Sequence, residues 1–218
     1  MTCFPSNEPY MPLVLFDFDG VLADTLADML RFAQEACNEL GVGHTVVPQD
    51  LSNLEVMSFA TFGNACNVPM ELTGEFVHKC TEKFAKKETP PSVFDGLSDI
   101  IRELSKENIL AVVTGNTAEN VHAFLAHHGL RNCFQMVYGV DMPGSKVEKI
   151  QKARRQFEAE NEPVYFIGDS LSDIRAAREA EVISVAVAWG HQSLEMLLRE
   201  KPDVIVHAPA ELMDVLHP

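Results

Sequence analysis

Short, unbroken apolar runs recur along this chain, at residues 13–19, 109–114, 133–138, 164–168, 182–187 and 203–206. Runs of this length read as strands buried on both faces. Between them the apolar positions fall at helical spacing, over 97–107, 118–128, 147–159, 173–180, 194–199 and 210–216. Strands alternating with helices of that length predict an α/β fold, a doubly wound parallel sheet covered on both faces. Sheets of this kind bind ligands beyond the carboxyl ends of their strands.

One segment breaks the alternation. From 26 to 87 the pattern is helical throughout: Leu26, Leu30, Ala33, Cys37 and Leu40 make one stripe, and Leu72, Phe76, Cys80 and Phe84 make a second at i, i+4 spacing. Gly41, Gly43, Pro48 and Pro69 punctuate it, and Thr89-Pro90-Pro91 closes it with a stiff turn. The pattern predicts a small all-helical cap domain over 26–90, inserted after the first strand of a core domain formed by 12–25 and 91–218. Residues 1–11 carry neither a basic region nor an apolar run and are expected to be a loose tail, not a signal peptide.

Composition narrows the partners. The 218 residues carry a formal net charge of −15, from 32 acidic and 17 basic residues. That balance disfavours nucleic acid and anionic membrane surfaces, whose phosphates need Lys and Arg. A small phosphate ester remains compatible, provided that a metal ion and one or two cations sit locally. No run approaches the roughly 20 apolar residues of a membrane-spanning helix. The five cysteines, Cys3, Cys37, Cys66, Cys80 and Cys133, form no C-x-x-C pair, and Cys37, Cys66 and Cys80 fall on apolar helical faces. Buried thiols in a reducing cytoplasm are the expectation.

Four places stand out, each where a strand run ends. Asp17-Phe-Asp-Gly20 offers two carboxylates two residues apart, which repel unless a cation neutralises them or one holds a proton. The bland alternative is a polar turn after a core strand. Thr114-Gly115-Asn116 offers a hydroxyl, amides and a carboxamide to phosphate oxygens; alternatively Thr114 or Asn116 caps the next helix. Lys146 after Gly144-Ser145 opens a helix and could bring a point charge to a phosphate, although a solvated lysine is the commoner case. Asp169 and Asp173 flank small residues in a strand-to-helix loop, which suits oxygen ligation of a hard cation, with Ser172 or Asp173 as helix N-cap the plain reading.

Taken in order, D-x-D-G-V, a hydroxyl, a lysine and G-D-x-x-x-D after successive strands resemble the haloacid dehalogenase superfamily over essentially the whole chain. The insert is similar to that family's first type of helical cap, on a Rossmann-like core. Ala188-Trp189-Gly190-His191 and the stretch 201–211 resemble its phosphoglycolate phosphatase branch. The resemblance implies Mg²⁺-dependent hydrolysis of a small phosphorylated metabolite. Asp17 would be the nucleophile, forming an aspartyl-phosphate, and Asp19 the general acid and base. Thr114, Gly115, Asn116 and Lys146 would bind phosphate. The metal would be held by Asp17, the backbone carbonyl of Asp19, and Asp169, with Asp173 in support.

The branch often has K-P-x-P where this chain has Lys146-Val-Glu-Lys149, so Lys149 is an alternative phosphate ligand. Asp24 reads as structural, beneath the cap. Of the histidines, His127 and His128 suit a helix C-terminus, His44, His78 and His122 match no family role, and His191 is a candidate for the surroundings of the site. The alternatives are a phosphomutase of the β-phosphoglucomutase type, with the same core residues, and a non-catalytic Mg²⁺- or phosphate-binding protein.

Overall fold

In the computed structural model, residues 11–216 are described; the expected N-terminal tail, up to residue 10, lies outside them, as does Cys3. The sheet comprises β1 (Leu13–Phe16), β4 (Ile109–Val113), β5 (Phe134–Tyr138), β6 (Val164–Gly168), β7 (Ile183–Val187) and β8 (Val204–Val206). All neighbours are parallel, in the order β5-β4-β1-β6-β7-β8. Six helices follow the core strands or link them: α5 (Leu97–Leu104), α6 (Ala118–His127), α7 (Lys146–Gln156), α8 (Leu171–Glu179), α9 (Leu194–Arg199) and α10 (Glu211–Leu216).

Side chains of β1 alternate between two apolar layers, as a strand period of two requires. Val14 and Phe16 enter one layer with Leu97, Ile101, Val121 and Phe124. Leu13 and Leu15 enter the other with Ile150, Ala153, Phe166 and Ala177. All four β1 side chains are fully buried, each worth roughly 1.5–3 kcal/mol relative to exposure. The chain leaves β1 toward β4 and β5 on one side and later returns to β6 on the other. The strand order therefore reverses beside β1, and Asp17 is the first residue past its end.

The segment expected to be helical throughout is helical in part. It forms α1 (Leu26–Glu39), α2 (Gln49–Ser52), α3 (Phe59–Ala65) and α4 (Thr73–Ala85), with a short 3-10 turn at Met70–Leu72. Both stripes appear, on α1 and α4, around a core that includes Ala33, Cys37, Phe62, Phe76 and Cys80. Phe32 and Phe84 meet edge-to-face across α1 and α4, with ring centroids 4.8 Å apart. Residues 43–48, by contrast, are irregular. Gly41 at φ 71° stops α1, and Gln34 then pins the departing chain: its Nε2 donates to His44 O (3.1 Å) and its Oε1 accepts from Val46 N–H (2.8 Å).

The two connections between insert and core pair with each other. β2 (Ala23–Asp24) and β3 (Ser92–Val93) form an antiparallel ribbon two residues long, which places Asp24 at the joint. No periodicity can announce an element of that length. Cys37, Cys66 and Cys80 are free and buried, and Cys133 is free and partly buried. His128 caps the C-terminus of α6, with its Nε2 2.8 Å from Pro91 O, so it also ties that helix to the joint.

Candidate active site

The loop after β1 is built on one carbonyl. Phe18 O accepts from the amides of Val21, Leu22 and Ala23 at 3.3, 2.9 and 3.0 Å, turning the chain back sharply beyond Asp19. Gly20 has φ 77°, and a Cβ placed there would lie 2.1 Å from Asp169 Oδ2. Gly190 is equally tight: a Cβ would lie 2.2 Å from the Cβ of Asp169. Asp169 therefore reaches its place only because two glycines from separate loops make room.

Three carboxylates converge there. One oxygen from each of Asp17, Asp169 and Asp173 lies within 4.8 Å of the others, and Asp169 and Asp173 are almost wholly buried. Asp17 is carried by β1, its amide still donating to Ile167 O at 2.8 Å. Asp169 stands past the end of β6, held by the His191 amide, which donates to its Oδ2 at 2.7 Å. Asp173 is on the first turn of α8, where its Oδ2 accepts from Ser170 Oγ at 2.6 Å and from the Ser170 amide at 3.1 Å.

Lys146 supplies the countercharge as the first residue of α7. Its Nζ donates to Asp173 Oδ1 at 2.6 Å and to Asp17 Oδ2 at 3.1 Å. Lys149, the alternative, is buried one turn further along α7, and that burial holds its ammonium below the usual range. Of the two lysines, Lys146 is the one with hydrogen bonds to the carboxylates.

One ammonium does not offset three buried acids. Burial pushes the Asp17 carboxyl up to about 7; Lys146 opposes the rise and Asp173 adds to it. Burial also raises Asp169 well above the ordinary carboxylate range, and Asp173 and Asp17 push it the same way. Such a group of oxygens, in excess of its cation, fits a hard divalent ion.

Asp19 stands apart from this group. Its Oδ2 accepts from Asn116 Nδ2 at 3.1 Å. Burial raises its pKa, while hydrogen bonds from Asn116 and Thr25 pull it back. Asn116 is fixed in turn: its Oδ1 accepts from the Thr117 amide (2.9 Å) and from Asn120 Nδ2 (3.0 Å). Thr114 is buried, its Oγ1 accepting from the Asn116 amide at 3.0 Å, and Gly115 between them is exposed.

The plain alternatives for these residues name the wrong caps. Thr117 caps α6, not Thr114 or Asn116, and Ser170 caps α8, not Ser172 or Asp173. Ser170 and Asp173 form a capping box, an S-x-x-D pattern readable in the sequence. Sequence reasoning also passed over Thr25, whose Oγ1 lies 3.1 Å from His191 Nε2, and Gln192 beside it. No motif marks either residue. His191 lies beside the acid cluster, its Nδ1 3.5 Å from Asp169 Oδ2.

The insert holds another ligand-like group, with atoms of His44, Asp50 and Cys66 within 4.8 Å of one another. Local bonds account for it: His44 Nε2 lies 2.7 Å from Asp50 Oδ2, which also accepts from the Val47 amide at 2.8 Å, closing the loop after α1. A groove of about 540 Å³ beside α1 and α4 carries Arg31, Lys83, Lys86 and Lys87. Each of these cations is already ion-paired, Arg31 and Lys87 with Asp28, Lys83 with Glu35 and Glu39, and Lys86 with Glu82. No helix among the described residues is long and apolar enough to cross a membrane.

Comparison with known proteins agrees with this geometry. Over 211 residues the chain is 25% identical to a phosphoglycolate phosphatase of Synechococcus elongatus, covering 94% of this chain and 97% of that one. It is 28% identical to an N-acetylmuramic acid 6-phosphate phosphatase of Pseudomonas aeruginosa, with 93% of each chain covered. Among solved structures, a haloacid dehalogenase-like hydrolase of Streptococcus pneumoniae superposes with a TM-score of 0.83 at 23% identity, covering 95% of this chain and 99% of that one. The family model for haloacid dehalogenase-like hydrolases matches residues 14–187, which include every carboxylate of the site and the whole insert. With a parallel core, a helical insert after the first strand and a buried aspartate cluster at the strand ends, the chain belongs to the haloacid dehalogenase-like hydrolases.

Proposed function

We propose that this protein is a Mg²⁺-dependent phosphatase that hydrolyses a small phosphate monoester through an aspartyl-phosphate on Asp17. The observation that carries the reading is the division of labour among the acids. Asp17, Asp169 and Asp173 crowd around Lys146, while Asp19 is held aside by Asn116.

In the first step an Asp17 oxygen forms a bond to phosphorus as the P–O bond to the leaving alcohol breaks. Asp19, whose raised pKa favours keeping a proton, donates it to the departing oxygen. In the second step Asp19, now ionised, takes a proton from water. The water oxygen bonds to phosphorus, and the Asp17–phosphorus linkage breaks to release inorganic phosphate. We assign Lys146, whose Nζ is bonded to Asp17 Oδ2, to the transferring phosphoryl oxygens, with Thr114, Gly115 and Asn116 as further phosphate-binding residues. Asp17, the Asp19 carbonyl and Asp169 would hold Mg²⁺, with Asp173 in support. Bound there, the ion supplies positive charge that lowers the cost of bringing a phosphate dianion to an anionic nucleophile.

We further assign residues 26–90 as the cap and 12–25 with 91–218 as the core, the β2–β3 ribbon marking the joint. For the substrate, 2-phosphoglycolate and N-acetylmuramic acid 6-phosphate are the first candidates, from the names of the two related phosphatases. Inorganic phosphate release from a panel of phosphorylated metabolites, with Mg²⁺ and with EDTA, tests the reading. Turnover of at least one ester that stops in chelator and returns with excess Mg²⁺ is expected. Full activity in chelator, or no release from any ester, would overturn it.

A further inference from the structure

Asp17, Asp169 and Asp173 are 9, 3 and 1% exposed, and the insert meets the core beside them. The insert has its own apolar cluster, separate from the two layers of the sheet, and joins the core through the two-residue ribbon of β2 and β3. Two hydrogen bonds among the described residues also tie it to the core beside the carboxylates.

Those bonds come from Gln192 and Ser193, which follow His191 after β7. The amide of His191 donates to Asp169 Oδ2. The amide of Ser193 donates at 3.2 Å to Ser52 O, at the end of α2. Between them, the Gln192 side chain is 2% exposed and spans the boundary. Its Oε1 accepts from the amide of Leu171 at 2.7 Å, and its Nε2 donates to Leu54 O in the insert. Leu171 is the first residue of α8, the helix that carries Asp173, and follows the Ser170 cap. A buried carboxamide costs free energy unless its donors and acceptors are met. Here the oxygen is met by the acid-bearing loop and the nitrogen by the insert, so the side chain bridges the two only while the insert is docked.

We propose that Gln192 is a positioning residue, a latch that holds the insert's 52–54 turn docked against the acid-bearing start of α8. Its effect on turnover rests on the phosphatase reading; its hold on the insert does not. Breaking one buried hydrogen bond shifts an opening equilibrium by about tenfold. The two ends of the side chain can be separated by mutation. Gln192→Glu keeps an acceptor for Leu171 N–H but turns a carboxylate toward Leu54 O. Gln192→Leu removes both bonds at similar size.

Amide hydrogen exchange, read residue by residue by NMR in the full chain without added metal, tests the latch directly. Exchange at Ser193 is expected to rise about tenfold in both variants, and exchange at Leu171 to rise in Gln192→Leu only. In parallel, kcat/KM on a small alkyl phosphate should fall about tenfold in both, with most of the loss in KM, since closure gathers binding groups around the substrate. Unaltered Ser193 exchange in Gln192→Glu would overturn the latch, and holds as a test if Gln192→Leu fails to fold. Faster exchange with kcat/KM intact, or a loss confined to kcat, would overturn the positioning role. A wild-type chain that turns over no phosphate ester would remove the phosphatase reading while leaving the exchange comparison to decide the latch.

Discussion

Lys146 and Asp173 are joined across the site by a 2.6 Å hydrogen bond, from the first residue of α7 to the first turn of α8. That bond settles which lysine meets the carboxylates. Lys146→Ala is expected to cost at least about 10²-fold in kcat/KM on a phosphate ester, the size of a lost electrostatic contact to a developing charge. Lys149→Ala should cost less than about tenfold and act through stability, because Lys149 is buried without a bond to the acids. Equal losses by steady-state kinetics would contradict the assignment.

The contribution of Asp17 to the stability of the metal-free protein should fall as pH rises. The Asp17 carboxyl has an ordinary pKa of 3.8 and stands near 7 when folded, so between those values the folded chain holds a proton that the unfolded chain has lost. That contribution decreases with rising pH across the window from about 4 to about 7, and Asp169, raised for the same reason, adds to the fall. Buried His191, lowered to about 4, acts in the opposite sense up to its ordinary 6.5, so the comparison with Asp17→Asn isolates Asp17. In EDTA, Asp17→Asn should therefore melt several degrees above wild type at pH 7.5 and near it at pH 5. Added Mg²⁺ should raise the wild type by more than the variant. Calorimetry showing the variant lower at pH 7.5 would contradict the electrostatic account.

Gly20→Ala tests the crowding around Asp169. A methyl at φ 77°, 2.1 Å from Asp169 Oδ2, forces the carboxylate or the loop to move. We expect weaker Mg²⁺ binding by at least tenfold, read by titration calorimetry, with the helical circular dichroism of the folded chain retained. Wild-type affinity would show that the loop adapts freely.

Asp19 is separable from Asp17 by leaving group. An alkyl phosphate releases a poor leaving group and needs the proton of a general acid, worth roughly 10²- to 10⁴-fold. An aryl phosphate needs it far less. Asp19→Asn should lose most of its activity on alkyl esters, and with nitrophenyl phosphate should show a rapid burst of nitrophenol followed by slow turnover. Equal losses on both esters without a burst would mean that Asp19 acts by placing groups.

The strands and core helices were legible because burial on a two-layered sheet imposes clean periods: β6 over Val164–Gly168 and α9 over Leu194–Arg199 have the expected bounds. The acids were legible because each stands where an apolar run ends. The 43–48 loop was not, since Gly41, Gly43 and Pro48 punctuate without saying how long the irregular stretch runs, and Gln34 holds it from another helix. The caps were misplaced by one to three residues, because Ser, Thr, Asn and Asp cluster at these helix starts and only geometry selects the one whose oxygen meets an amide. Gln192 was invisible. A glutamine becomes informative only when both ends of its carboxamide are seen to be engaged.

The most direct test of the account is to find the phosphoryl group on its nucleophile. Wild-type enzyme turning over an alkyl phosphate with Mg²⁺ is quenched in the steady state and treated with borohydride, which reduces an acyl phosphate to an alcohol, and the peptide containing residues 11–25 is sequenced by mass spectrometry. The account predicts homoserine at position 17, present only when substrate and Mg²⁺ were both supplied, with Asp19 intact. Phosphate release with Asp17 unmodified, or reduction at Asp19 instead, would contradict it.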